Sequence, residues 1–450
     1  MKVTVIGAGL AGSEAALQLA FAGIEVVLYE MRPGKMTAAH TTGLPAELVC
    51  SNSLRSNLLR NAPGLLKEEL RICDSYLISA ADSCRVPAGG ALAVDREEFS
   101  RTVQKMLNSF DLITQKEEEV RTIPEGNVII AAGPLASPSL TEEICGLTGS
   151  SSLYFYDAIA PVVFYESVDM DTAFFQNRYQ DGDEADYLNC PMSEDQYFSF
   201  LTELKSAQRV SPREFEKEIH FQGCMPVEAI ADTGDMSLLF GPMKPVGLFD
   251  PRTGNRPFAV VQLRRENKTG TAWNLVGFQT KLTYPEQKRV FRMIPGLERA
   301  AFVRLGSMHR NTFINGPEVL DGRMRLRTDS RIMFAGQITG IEGYIESIAS
   351  GYLAGKLMAG LELLPPADTA LGAILRYATE SDTNNYQPSN INYGLFSSPE
   401  KKTGRGRRAR REAQAENALK SIREWLNRLS AGNSPSQQGI DPDCKQQHNQ

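Results

Sequence analysis

Seven cysteines, at positions 50, 73, 84, 145, 190, 224 and 444, are the strongest nucleophiles the chain offers. Their number is odd and no pair has C-x-x-C spacing, which fits reduced thiols in a cytosolic protein better than a disulfide framework or a zinc site. No metal-ligand cluster is expected. A thiol attacks only as its thiolate, so a reactive one needs a positively charged or helix-N-terminal setting. Two cysteines have suitable surroundings. Cys224 stands in Gly223-Cys224-Met225-Pro226, a tight turn that would expose it, and Cys50 opens the polar run Cys50-Ser51-Asn52-Ser53-Leu54-Arg55. Cys73, Cys84, Cys145 and Cys190 read as small buried hydrophobes, and Cys444 as an inert thiol in a polar tail.

The second chemical feature is a glycine loop. Val3, Val5 and Ile6 form a short buried strand that runs directly into Gly7-Ala8-Gly9-Leu10-Ala11-Gly12. Ser13–Ala22 then reads as a helix, and Ile24–Tyr29 as a second parallel strand ending in Glu30. Strand, loop, helix and terminal acid together make the βαβ dinucleotide fingerprint. Gly7 permits the turn, Gly9 lets backbone approach a pyrophosphate, Gly12 allows close helix–strand packing, and Glu30 is placed to accept from a ribose diol. The helix N-terminus supplies N–H groups to the phosphates.

Two later segments extend this domain. Asn127–Ala132 is a buried strand ending in the small-residue turn Gly133-Pro134, and Arg331–Ala335 is another, running through Gly336-Gln337 to Gly340 and Gly343 and a helix over Ser347–Leu361. A domain that begins at residue 3 and ends near 361 carries a large insertion. That arrangement resembles the two-segment FAD domain of flavoproteins, with Ala132, Gly133, Gly336 and Gln337 near the cofactor. The fold expected is α/β: a two-segment Rossmann-like FAD-binding domain, 1–154 and 326–429, with an inserted α+β domain, 155–325. Phe258–Leu263 and Ala272–Phe278 read as strands of the insertion. Residues 412–429 suit an amphipathic helix, with Ala415, Leu419, Ile422, Leu426 and Leu429 in one stripe, and 430–450 reads as a disordered tail.

At 450 residues and net charge −6 the chain looks ill-suited to a polyanion, but the average conceals segregation. Residues 250–331 hold 16 Lys/Arg against 7 Asp/Glu, and residues 401–428 hold 10 against 3. Such segregation suggests a polyanion-facing surface on an otherwise acidic protein. No run approaches the ~18–20 apolar residues of a membrane span, and MKVTVIGAGLAG does not read as a signal peptide, so a cytoplasmic protein without membrane contact is expected.

The stretches GAGLAGSEAALQLA (7–20), AELVCSNSLRSN (46–57), VPAGGALAVDREEFS (86–100), LYFYDAIAPVV (153–163), QGCMPVEAIA (222–231), GSMHRNTFI (306–314), AGQITGIEGYIESIASG (335–351) and NYQPSNINYGLF (385–396) resemble the folate- and FAD-dependent tRNA uracil-C5 methyltransferases. The likeness runs from residue 1 to about 428. Gln337, where many flavoproteins have Asp, is part of it. A larger relative that modifies wobble uridines is similar only at the superfamily level, because the Cys50 and Cys224 motifs point to the methyltransferases.

The resemblance implies formation of 5-methyluridine in the tRNA T-loop, with FAD as cofactor and methylenetetrahydrofolate and NAD(P)H as co-substrates. Uracil C5 is a poor nucleophile until a thiolate adds at C6, so this chemistry needs a reactive cysteine and a base for the C5 proton. Cys224 is assigned as the nucleophile and Cys50 as the general acid/base or alternate thiol, with the order open. The only glycine loop is committed to FAD, which leaves S-adenosylmethionine without a site. A folate methylene must then be reduced to methyl by two electrons, relayed by the flavin from NAD(P)H. With no second GxGxxG, NAD(P)H docks transiently. His309 could stack on a pterin while Arg310 binds a glutamate carboxylate. Tyr344, beside Glu342, could cover the isoalloxazine or the base. Lys401, Lys402, Arg405, Arg407, Arg408, Arg410 and Arg411 form a flexible basic run suited to RNA phosphates. The alternatives are the same chemistry on a ribosomal RNA uridine, or a small-molecule flavoprotein oxidoreductase. Oligomeric state is not legible.

Overall fold

The computed structural model describes residues 1–149, 153–178, 185–210, 225–397 and 406–432. Lys2–Ile6, with valines at alternate positions, pairs in parallel with Glu25–Glu30 on one side and Asn127–Ile130 on the other. The full sheet runs Arg325–Leu326, Asp329–Phe334, Asn127–Ile130, Lys2–Ile6, Glu25–Glu30, Ile113–Glu117, and all its pairings are parallel except the first. Asp329–Phe334 thus returns to lie beside Asn127–Ile130, with Met333 level with Ile129, although the whole middle of the chain separates them. Central strands buried on both faces explain the near-continuous apolar runs.

Helix Leu10–Phe21 begins as soon as Gly9 has turned the chain, with the Ser13 N–H donating to Gly9 O, three residues earlier than expected. Helix Tyr344–Met358 also starts early, at Gly343 (φ +114°), and stops before Gly360 (φ +98°). The two helices cross at backbone contact: a Cβ on Gly351 would lie 2.1 Å from Ala11 O. The core beneath them joins Val3, Val5, Leu17, Leu28, Ile345 and Leu353.

A second six-stranded sheet is antiparallel throughout, in the order Phe174–Phe175, Tyr187–Met192, Ala259–Arg265, Ala272–Leu275, Val162–Phe164, Phe302–Arg304. It has a separate core around Leu188, Val261, Trp273, Phe278 and Phe291. A two-stranded ribbon, Leu153–Ala158 against Met308–Phe313, carries the chain between the sheets, with His309 opposite Asp157 and Asn311 opposite Phe155.

The C-terminal helix spans Arg407–Gly432 and buries Ala415, Ala418, Leu419, Ile422 and Trp425 against the first core. It starts five residues before the expected position 412, because Arg408, Ala409 and Glu412 favour helix and Arg408 pairs with Glu412 at 2.9 Å one turn on. Arg407–Arg411 are therefore helical, a correction to the flexible run expected there. The tail beyond 432, with Cys444, lies outside the described residues. Cys73, Cys84 and Cys190 are buried, and burial pushes the Cys73 thiol up to about 12; Cys145 is only half-buried. Among the described residues no helix is long and apolar enough to cross a membrane.

Candidate active site

The glycine loop is shaped by hard contacts. Gly7 (φ +99°) would bring a Cβ 2.6 Å from Ala131 O, and a Cβ on Gly12 would lie 1.8 Å from Gly7 O. Neither position admits a side chain. Around Gly9, by contrast, nothing lies within 4 Å of an added Cβ, leaving open space in front of the helix N-terminus. Glu30 closes the turn by accepting from the Ala8 amide at 3.1 Å, and its carboxylate is gripped by Arg32 at 3.0 Å. Burial would raise Glu30, but the Arg32 hydrogen bonds and charge outweigh it and hold the carboxyl below its usual range. An open glycine before a helix N-terminus, with an ionised carboxylate at the next strand end, fits the pyrophosphate and ribose of a dinucleotide.

From this turn a cavity of about 380 Å³ extends along Ala131–Pro134 and Gly336-Gln337 to the Cys50 thiol. The segment 48–52 is held from four sides. Arg96, at the start of its helix, forks onto Glu266 (2.6 and 3.0 Å) and donates to Leu48 O at 2.7 Å. Arg304 donates to Val49 O at 2.9 Å, and burial with Arg96 nearby pulls its guanidinium down to about 10. Arg264 reaches Asn52 Oδ1 (3.1 Å) and Ser51 Oγ (2.7 Å). Tyr344 Oη accepts from the Cys50 amide at 2.7 Å and the Ser51 amide at 3.3 Å. The thiol itself is half-buried, with Sγ 3.6 Å from Ala158 O.

The facing wall carries acids and amides. Glu342 accepts from Gln337 Nε2 at 2.5 Å; burial, then Asp157, Glu346 and Cys50, raise its carboxyl well above the ordinary range, against the Gln337 hydrogen bond. Burial and like charge thus favour its protonated form. His309 Nε2 lies 3.8 Å from Asp157 Oδ2, and burial lowers the imidazole although Asp157 opposes this. Behind the wall, NYQPSN straps the Gly340–Glu346 turn: Asn390 donates to Glu342 O, Tyr386 to Thr339 O, and Glu346 pairs with Arg55 at 2.8 Å.

Comparison with known proteins places this geometry. Residues 2–363 match the family described as GIDA, glucose inhibited division protein A. The methylenetetrahydrofolate–tRNA-(uracil-5-)-methyltransferase TrmFO of Syntrophotalea carbinolica is 55% identical over 433 residues, 95% of this chain and 94% of that one. Its namesake from Heliobacterium modesticaldum is 56% identical over 95% of this chain and 98% of its own. The chain belongs to the methylenetetrahydrofolate–tRNA-(uracil-5-)-methyltransferase family. Among solved structures, Aquifex aeolicus GidA superposes with a TM-score of 0.67 over 94% of this chain and 73% of its own, at 16% identity, which carries the fold alone.

Within this methyltransferase family fold, the expected site residues meet unevenly. Gly7, Gly9, Leu10, Ala11, Glu30, Ala132, Gly133, Gly336, Gln337, Cys50, Tyr344 and His309 all line the one cavity. Ala8 and Gly12 lie behind it and shape the turn. Arg310 pairs with Tyr156 in the ribbon, and its side chain lies outside the described residues, as do Cys224, Lys401, Lys402 and Arg405. Arg407 lies on the C-terminal helix with its side chain outside the described residues, and Arg408, Arg410 and Arg411 sit on that helix away from the cavity lining, with Arg411 over the Tyr393 ring at 5.6 Å. Sequence reasoning assigned no role to Asp157, Arg264, Asn274 and Asn311, which also line the cavity. Strand alternation would have found Asn311, two residues from His309 on the same face. Nothing local marks the others.

Proposed function

We propose that the protein forms 5-methyluridine in the T-loop of tRNA, taking the carbon from methylenetetrahydrofolate, and that it works in the cytoplasm. The observation that carries this reading is continuity: one cavity runs from a dinucleotide-shaped turn to a cysteine held by three arginines and a tyrosine. Gly7, Gly9, Leu10, Ala11 and Glu30 would hold the pyrophosphate and ribose of FAD, and Gly133, Gly336 and Gln337 the part nearer the ring. FAD, when bound, supplies the two electrons that convert the methylene to a methyl group, drawn from NAD(P)H. The division into a two-segment domain, 1–154 and 326–429, and an inserted domain, 155–325, belongs to the same proposal.

The chain's own residues account for the rest. Cys224 is the thiol that adds to uracil C6, pushing charge onto the ring oxygen so that C5 becomes nucleophilic. C5 then bonds to the folate methylene carbon, and Cys50, held against Ala158, takes the C5 proton as the bond from that carbon to the folate nitrogen breaks. Once the carbon has been reduced to methyl, the C6–S bond breaks and the ring double bond returns. Glu342, whose protonated form is favoured by burial, is a donor to an oxyanion in the cavity. His309, neutral, faces the pterin. The basic N-terminus of the last helix, with the run from Lys401, meets RNA phosphates. The assay is direct: purified protein with undermodified tRNA, methylenetetrahydrofolate and NADPH yields 5-methyluridine, and Cys224→Ala stops this while FAD stays bound. Product only with S-adenosylmethionine, product in ribosomal RNA alone, or full activity of Cys224→Ala would each overturn the corresponding part.

A further inference from the structure

Asn311 is fully buried, yet neither Oδ1 nor Nδ2 meets a hydrogen-bonding partner among the described residues. Its strand, Met308–Phe313, alternates, so Asn311 shares a face with His309, and both line the cavity. The next residue anchors the strand: the Thr312 N–H donates to Pro134 O at 2.9 Å, beside the Gly133-Pro134 turn. Two more polar atoms of residues lining this cavity lack partners among the described residues, His309 Nδ1 and Asn274 Nδ2. A buried amide left unpaired is destabilising, and native proteins keep one where something outside the chain completes it.

What completes it follows from the amide's own pattern. A carboxamide presents C=O and N–H side by side, the complement of a ring edge with adjacent N–H and C=O. We propose that Asn311 is a binding residue that reads the lactam edge of a ring held in this cavity. The proposed reaction involves three rings with that edge: the uracil of RNA, the pterin of folate and the isoalloxazine of FAD. The inference rests on the proposed function for this choice of rings and on the geometry for the edge itself. Paired with a lactam, Asn311 satisfies both its buried atoms at once, and the Asn274 donor elsewhere in the cavity lining is left for a further acceptor on the same ligand set.

Asn311→Leu tests this, because it keeps the side-chain volume and removes both polar atoms; Asn311→Ala serves if the leucine is not accommodated. Three direct measurements on the full-length protein need no turnover: FAD binding to apoprotein by flavin fluorescence, tetrahydrofolate binding to holoprotein by calorimetry, and preference for tRNA with the target uridine over the same tRNA with cytidine there. At least one weakens about tenfold to a hundredfold, as expected when a site built to hydrogen-bond a polar edge loses its partner. The ligand-free melting temperature stays level or rises, since an unpaired amide has been removed. The measurement that moves identifies the ring. No change in any of the three, or a lower ligand-free melting temperature, overturns the proposal. If wild-type protein forms no 5-methyluridine while Asn311→Leu still weakens one constant, the functional reading fails and the lactam pairing stands.

Discussion

Tyr344→Phe isolates one oxygen atom at the centre of the site. The ring can remain where it is, packed against the first core, while the Cys50 and Ser51 amides lose the oxygen they share at 2.7 and 3.3 Å. Burial raises the Tyr344 phenol, and Cys50 adds to this, so the hydroxyl keeps its proton and acts on the segment as a neutral acceptor. Leaving one buried N–H unmade costs about 1–3 kcal/mol, and the longer second bond adds less. If about 2 kcal/mol of this appears as a preference for other conformations of residues 50–51, the competent fraction falls roughly thirtyfold. Single-turnover methyl transfer to undermodified tRNA should therefore slow by about ten- to a hundredfold. FAD affinity should be unchanged, and alkylation of Cys50, followed by peptide mass spectrometry, should change rate. Tyr344→Ala should lose FAD affinity as well, because it also removes the ring. A wild-type rate in Tyr344→Phe, or FAD loss as deep as that of the alanine variant, would refute the reasoning.

Gly9→Ala should fold with an unaltered melting temperature, since no atom stands within 4 Å of the new methyl, yet bind FAD at least about tenfold more weakly; flavin-to-protein absorbance of the purified variant reads this. Gly12→Ala should instead lower the melting temperature and the yield of folded protein, because its methyl would sit 1.8 Å from Gly7 O, backbone that cannot swing aside. Lys67 is buried, donates to Leu54 O at 2.8 Å, and burial lowers its amine to about 7, against the pull of Glu346. The folded protein then binds fewer protons than the unfolded chain between pH 7 and the ordinary lysine value of 10.5, so this group's contribution to stability rises with pH across that window. Lys67→Met should accordingly gain most over wild type below pH 7, on the order of a few kcal/mol, with the gain shrinking toward pH 10; thermal melts across that range showing a pH-independent difference would refute it. Charge reversal at Arg408 and Arg411 should weaken tRNA binding and flatten the dependence of log K on log salt by up to about one unit for each phosphate no longer neutralised. An unchanged slope would remove the helix from the interface.

The dinucleotide turn was legible because most of the constraints on it are local. Strand, glycine spacing, helix and Glu30 lie within thirty residues, and Gly12 is excluded from carrying a side chain by Gly7 O in the loop itself, although Gly7 is also confined by Ala131 O from a distant strand. The return of Asp329–Phe334 to the same sheet was legible too, from a buried strand followed by glycines. The setting of Cys50 was not. Its four straps, Arg96, Arg264, Arg304 and Tyr344, come from distant parts of the chain, and each looks locally like an ordinary surface charge or packing aromatic. The Tyr344 ring was expected to matter; the hydroxyl's grip on the Cys50 and Ser51 amides has no sequence signature, since it needs the fold to bring the two segments together.

Charge segregation shows the same limit from the other side. The arginine-rich stretch 250–331 looked like a face for anions, yet many of its guanidiniums are engaged by partners within the protein. Arg252 binds Asp250 and Asp171 O, Arg292 binds Ala300 O, Arg323 binds the Leu361 and Glu362 carbonyls, and Arg331 binds Pro124 O. Arg264 and Arg304 hold the Cys50 segment. A guanidinium tied to backbone carbonyls keeps its charge but offers few free donors to a phosphate. Much of the positive charge in this stretch is thus already engaged within the protein, and two of its arginines, Arg264 and Arg304, fix where the Cys50 segment sits. The C-terminal helix is different: Arg410 makes only its backbone bond among the hydrogen bonds described, and Arg411 lies over the Tyr393 ring at 5.6 Å with no side-chain hydrogen bond among those described. Of the two basic stretches, the shorter one has the donors that a polyanion needs.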